Sequence, residues 1–134
     1  MKTFAALFAS AFAADKVQIQ LFYESQCPGC RNMITTSFAT AFAAPDFLDM
    51  ADVTLYPYGN AHETQSGSEW VYSCQHGTQE CVYNQIETCA NHYITDLITR
   101  FDYTDYMEVD DASYGTSYTD AINDCATKAK ITDA

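Results

Sequence analysis

The sequence predicts an α/β fold organised on one strand–helix–strand unit, and three observations carry that reading. Val17-Gln18-Ile19-Gln20-Leu21-Phe22-Tyr23 alternates in the manner of a strand buried more on one face than the other. Ile34, Phe38 and Phe42 then recur every fourth residue among the helix-favouring Ala39, Ala41, Ala43 and Ala44, and Pro45 ends the run. Val53-Thr54-Leu55-Tyr56 forms a second short strand, closed by Pro57 and the turn residues Gly59-Asn60. Strands joined by a helix of this length run parallel through a right-handed crossover.

The remaining elements follow in order. Lys2, the apolar run Phe4 to Phe12 and the small residues of Ala11-Phe12-Ala13 predict a signal peptide over residues 1–14, leaving one domain over 15–134. Phe47, Leu48 and Met50 are expected to cover the core from the connection between helix and second strand. Residues 61–73 read as a polar loop from which Trp70, Val71 and Tyr72 tuck back onto the core. From Glu80 a long helix is expected, with Val82, Ile86, Ala90, Tyr93, Leu97 and Phe101 forming its apolar stripe. The acidic, tyrosine-rich 102–118 reads as a loop, and Tyr118, Ile122, Cys125 and Ala129 as a last short helix.

Composition bounds the function. The 134 residues carry 18 acidic and 6 basic side chains, a net charge of −12. Removing Lys2 with the signal peptide leaves 5 basic residues and −13. Nucleic acid and anionic membrane need a basic face, so both are excluded as partners. No stretch is long enough to insert into a membrane. Six cysteines in an exported chain of this size indicate an oxidising compartment.

Cys27-Pro28-Gly29-Cys30 stands at the junction of first strand and first helix, the context of a dithiol redox centre. Helix N–H groups and the positive end of the dipole favour a thiolate at the first cysteine. Pro28 suits the first helical position. Cys27 is therefore the candidate attacking sulfur and Cys30 the resolving one. The alternatives are two structural cysteines or half of a zinc site, for which Cys74, His76 and Cys81 are the further candidate ligands, at spacings that differ from a matching pair.

Cys74, Cys81, Cys89 and Cys125 read as structural staples. Cys81 and Cys89 lie just over two helical turns apart, too far to bond each other, so each is expected to bond a cysteine outside the helix. With Cys27 and Cys30 paired, three connectivities exist for the four, and the sequence selects none. His76 and Glu80 read first as partners of the turn and helix start, and second as a titrating pair near the dithiol.

The stretch from Cys74 to Cys89 resembles the signature C-Q-H-G-x2-E-C-x2-N-x4-C of the gamma-interferon-inducible lysosomal thiol reductases. Cys74, Gln75, His76, Gly77, Glu80, Cys81, Asn84 and Cys89 fill every fixed position. Cys27-Pro28-Gly29-Cys30 sits where that family carries its catalytic dithiol, and Val53 to Ala61 is similar to the strand and turn between the two motifs. The resemblance implies a thioredoxin-like core with a disulfide-bearing helical insertion. It also implies reduction of protein disulfides in a secreted or endosomal and lysosomal setting. The redox-active Cys27–Cys30 pair would take the place of a cofactor, with no metal, and a small thiol would serve as reductant. The sequence departs from the family in two places. Tyr106-Met107-Glu108 stands where a further cysteine is expected. Pro28, Pro45 and Pro57 are the only prolines, so the cis-proline strand that cradles substrate and the final hairpin and helix are missing, and the sheet is expected to be incomplete. A non-catalytic, disulfide-stapled secreted domain is the second functional reading.

Overall fold

The computed structural model describes residues 15–131, the side chains of residues 111–113 excepted; the expected signal peptide over 1–14 lies outside them. β1 (Val17–Tyr23) and β2 (Ala51–Pro57) pair in parallel with Val17 opposite Ala51 and Tyr23 opposite Pro57. The helix between them starts as α1 (Pro28–Asn32), passes through π-helical Met33–Phe38 and ends as α2 (Ala39–Phe42), followed by the single turn α3 (Phe47–Met50). The predicted α/β class and βαβ unit are therefore present. Ile19, Leu21 and Tyr23 pack with Val53, Leu55, Ile34 and Phe38 on the covered face. Phe22 and Tyr56 stack at 4.7 Å on the open face. Phe47 joins the core as expected, but Met50 points outward and is 62% exposed.

Residues 61–73 contain a hairpin where a loop was expected. β3 (His62–Ser66) and β4 (Glu69–Ser73) pair antiparallel around Gly67-Ser68, with Gly67 at φ +65°. A two-residue Gly-Ser connection is a hairpin signal that the polar composition obscured. Trp70 and Val71 do not tuck back; they are 54% and 53% exposed.

The long helix is two helices. α4 (Thr78–Tyr93) stops where Ile94 turns extended, and α5 (Leu97–Tyr114) restarts behind Asp96. The Asp96 carboxylate accepts from the Thr99 amide at 2.8 Å and its hydroxyl at 2.7 Å, an N-cap that defines the break. α5 occupies most of the segment expected to be loop. Phe101 stacks on Phe42 at 3.9 Å in the first core, while Tyr103 and Met107 join Tyr83, Ala121 and Cys125 in a second core with α6 (Tyr118–Lys128), the helix predicted at that position. The buried face of α4 shares only Ala90 with the predicted stripe. It runs Glu80, Tyr83, Asn84, Glu87 and Ala90, whereas Val82, Ile86 and Tyr93 line an open apolar groove against α6. Polar residues occupy the inner face because they bond to the loop that carries the dithiol.

Acid pH should favour this fold. Burial raises the carboxyls of Asp102 and Asp105 on α5 above the ordinary aspartate range. A raised folded value means that the native state holds the proton more tightly, so stability grows as pH falls through that value. Asp96 has the opposite sign: the Thr99 hydrogen bonds lower it, so its contribution is lost only below the ordinary aspartate value. Above the ordinary aspartate range the first effect operates alone, so thermal melts followed downward from pH 7 should show a Tm that holds or rises by a few degrees before the Asp96 contribution is lost.

Candidate active site

The site begins where β1 ends. Tyr23 closes the strand, and the chain turns through Glu24-Ser25-Gln26 with the Cys27 amide donating to the Glu24 carbonyl at 3.1 Å. The Arg31 amide then donates to the Cys27 carbonyl at 2.9 Å, which makes Cys27 the N-cap and puts Pro28 at the first helical position. The sequence anticipated this arrangement. Both thiols are free and half-buried. Burial pushes the Cys30 thiol up to about 11; a main-chain hydrogen bond at Glu24 opposes this, while the hydrogen bond to Cys27 and the charge of Glu108 add to it. Cys30 therefore holds its proton. The two sulfurs open on a cleft of about 370 Å³ walled by Phe22, Gly59, Asn60 and Gln75.

A buried carboxylate that the sequence reading passed over joins the pieces. Glu24 is 2% exposed, and its Oε1 accepts from the Asn60 amide at 2.6 Å. Gly59 lies against the same side chain. It has φ +53°, and a Cβ there would stand 2.4 Å from Glu24 Cγ. Gly59→Ala therefore meets both a backbone penalty and a clash with a side chain that cannot swing into water. Chemical denaturation should show a loss of about 1–3 kcal/mol. The Asn60 side chain donates onward to Gln75 Oε1 at 3.0 Å, which draws the second cysteine motif to the first.

That motif is a closed loop. Cys74 and Cys81 are disulfide-bonded, and between them Gly77 adopts φ +105° as the chain enters α4. His76 is held twice by the buried Glu80: its amide donates to Oε1 at 3.1 Å and its Nδ1 lies 2.5 Å from Oε2. The contact organises the turn, as the first reading of this pair has it, and His76 also lies near Cys27. The same Nδ1 is 3.6 Å from Glu24 Oε2. One further turn along α4, Asn84 Oδ1 accepts from the Ser25 amide at 2.9 Å, and the Ser25 hydroxyl donates to the Glu80 carbonyl at 3.3 Å. Beneath them the Tyr23 hydroxyl donates to the buried Glu87, and burial with that neighbouring charge holds the phenol well above its usual range. Glu108, also fully buried, lies 4.0 Å from Arg31 Nε. It comes from the segment where the family pattern places a cysteine, and Met107 beside it fills the second core.

One site expectation is corrected. Of the four presumed staples, only Cys74 and Cys81 are joined; Cys89 and Cys125 are free. Cys125 is buried in the packing of α6 on α5, where burial pushes its thiol up to about 12, and Cys89 lies exposed on α4. The alternative of a zinc site loses two of its further candidate ligands, Cys74 and Cys81, to the disulfide. Among the described residues, the group that could hold a metal ion is Glu24, Cys27 and His76, whose ligand atoms lie within 4.8 Å of one another.

A dithiol at the head of a helix, directly after a strand of a parallel pair, defines the class of thiol–disulfide redox proteins. The comparisons narrow the class. Residues 18–129 match the family described as gamma interferon inducible lysosomal thiol reductase, and the chain belongs to that family. It is 41% identical over 78 residues to the gamma-interferon-inducible lysosomal thiol reductase of Carassius auratus, covering 58% of this chain and 30% of that protein. To GILT-like protein 1 of Drosophila melanogaster it is 34% identical over 98 residues, 73% of this chain and 39% of that one. To the gamma-interferon-responsive lysosomal thiol protein of Arabidopsis thaliana the figures are 32% over 117 residues, 84% and 48%. The chain thus spans about a third to a half of the length of these relatives. No described helix is long and apolar enough to cross a membrane.

Proposed function

We propose that this protein reduces disulfide bonds in other proteins, through Cys27 and Cys30 on a thioredoxin-like βαβ core, in an acidic or extracellular compartment reached through the N-terminal signal peptide. The observation that carries the reading is the asymmetry of the dithiol. Both sulfurs open on the cleft, but Cys27 occupies the N-cap, whereas Cys30 lies in the first turn of the helix with its proton retained by burial. A Cys27 thiolate attacks one sulfur of the substrate disulfide, forming a mixed disulfide and releasing the other sulfur as a thiolate that takes up a proton. Cys30 then gives up its proton and attacks Cys27 Sγ. A Cys27–Cys30 disulfide forms, the expelled substrate sulfur takes up a proton and leaves reduced, and two molecules of a small thiol restore the dithiol as they pair into their own disulfide. Phe22, exposed at the rim, supplies an apolar contact for the substrate chain.

The test is reduction of a disulfide-bonded test protein between pH 4 and 7 with a small thiol supplied; absence of turnover above the small thiol alone overturns the reading. The second reading, a stapled non-catalytic domain, rests on the Cys74–Cys81 cross-link. A well-folded, fully oxidised chain that never turns over would support it.

A further inference from the structure

The cysteine loop has no assigned task beyond cross-linking, yet everything in it converges on one ring. The Cys74–Cys81 bond closes the loop, Gly77 supplies the left-handed turn, and Glu80 fixes both the amide and Nδ1 of His76. Asn60 and Gln75 tie the same loop to the turn that holds Glu24. The result places an imidazole nitrogen within 4.8 Å of Cys27 Sγ and of a Glu24 oxygen. We propose that His76, held by Glu80, is the charge partner of Cys27, its imidazolium stabilising the sulfur as an anion when it attacks the substrate disulfide. The proposal rests on the reductase reading and deepens it.

The surrounding charges give the ring its purpose. The groups facing Cys27 are Glu24 from the turn after β1, Cys30 from α1, and His76 and Glu80 from the loop and the start of α4. Two buried carboxylates near a sulfur that must become negative would oppose its ionisation. A protonated imidazole set among them offsets part of that negative charge, and a thiolate paired with an imidazolium can form where a free cysteine is fully protonated. The step conserves protons: the proton leaving Cys27 is held on the imidazole and returns to the thiolate released from the substrate. The electrons come from the dithiol and end on the substrate sulfurs.

The experiment follows alkylation of Cys27 by iodoacetamide in the reduced full chain carrying Cys30→Ser, with the site identified by peptide mass mapping because Cys89 is also exposed. In that background His76→Gln should slow the reaction at pH 5 at least tenfold, and the difference should close toward pH 9, where any thiol ionises. A rate within twofold of the parent at pH 5 overturns the proposal. Should His76→Gln fail to fold, carbethoxylation of His76 in the folded parent serves instead, since its side chain is 30% exposed. It should slow Cys27 alkylation in the same way, and an unchanged rate has the same negative meaning. Alkylation is measured without any disulfide substrate, so a chain that shows the histidine dependence yet turns nothing over loses the reductase reading alone.

Discussion

Cys27→Ser should reduce turnover to the level of the small thiol alone, while Cys30→Ser should accumulate a covalent adduct between Cys27 and the substrate. The two outcomes differ because the sulfurs do different work. Serine at position 27 removes the N-cap nucleophile, and Cys30, with its thiol pushed up to about 11, is a poor substitute. Serine at position 30 leaves the first attack intact and removes the second, so the mixed disulfide can be released only by external thiol. Nonreducing electrophoresis followed by mass mapping separates the cases: an adduct on Cys27 in the Cys30→Ser chain, none in the Cys27→Ser chain. Adduct formation through Cys89 instead would move the chemistry off the strand–helix junction and refute the assignment.

Legibility from the sequence divided along one physical line. Where burial is apolar, the pattern was sufficient: β1, the helix that follows, β2 and α6 all stand where alternation or four-residue spacing put them. Where burial is polar, the pattern misled. The inner face of α4 carries Glu80, Asn84 and Glu87, and hydrophobic periodicity assigned to the core a stripe that shares only Ala90 with it. Likewise α5 buries Thr104 and Glu108, so an acidic, tyrosine-rich segment resembled a loop. A local signal for its start did exist, the Asp96-Leu97-Ile98-Thr99 cap. In the site, the dithiol and the His76–Glu80 pair were readable because motifs mark them. Glu24 and Asn60 were not. Their roles depend on two distant turns meeting, and nothing in a single sequence reports a contact between residues 36 apart.

The Cys74–Cys81 bond bears on both the stability and the site, and removing it should separate the two. It closes a short loop, with a sequence separation of 7. Restricting a loop of that size in the unfolded chain is worth about 2–3 kcal/mol. The Cys74→Ala/Cys81→Ala chain should therefore melt roughly 8–15 °C lower than the parent. The native-state consequence is local. Without the cross-link, the Gln75–Gly77 turn is held by Glu80, by the Gly77 amide bond to the Cys74 carbonyl, by the His76–Glu24 contact and by the Asn60–Gln75 hydrogen bond, the last exposed to water. Amide exchange at His76, whose N–H is bonded to Glu80 Oε1, should then accelerate well beyond what the drop in global stability accounts for, while exchange in β1 and β2 should follow the global loss alone. Equal acceleration in loop and strands would mean that the bond stabilises the whole domain without positioning the histidine, and Glu80 would then be sufficient to keep the ring beside the dithiol.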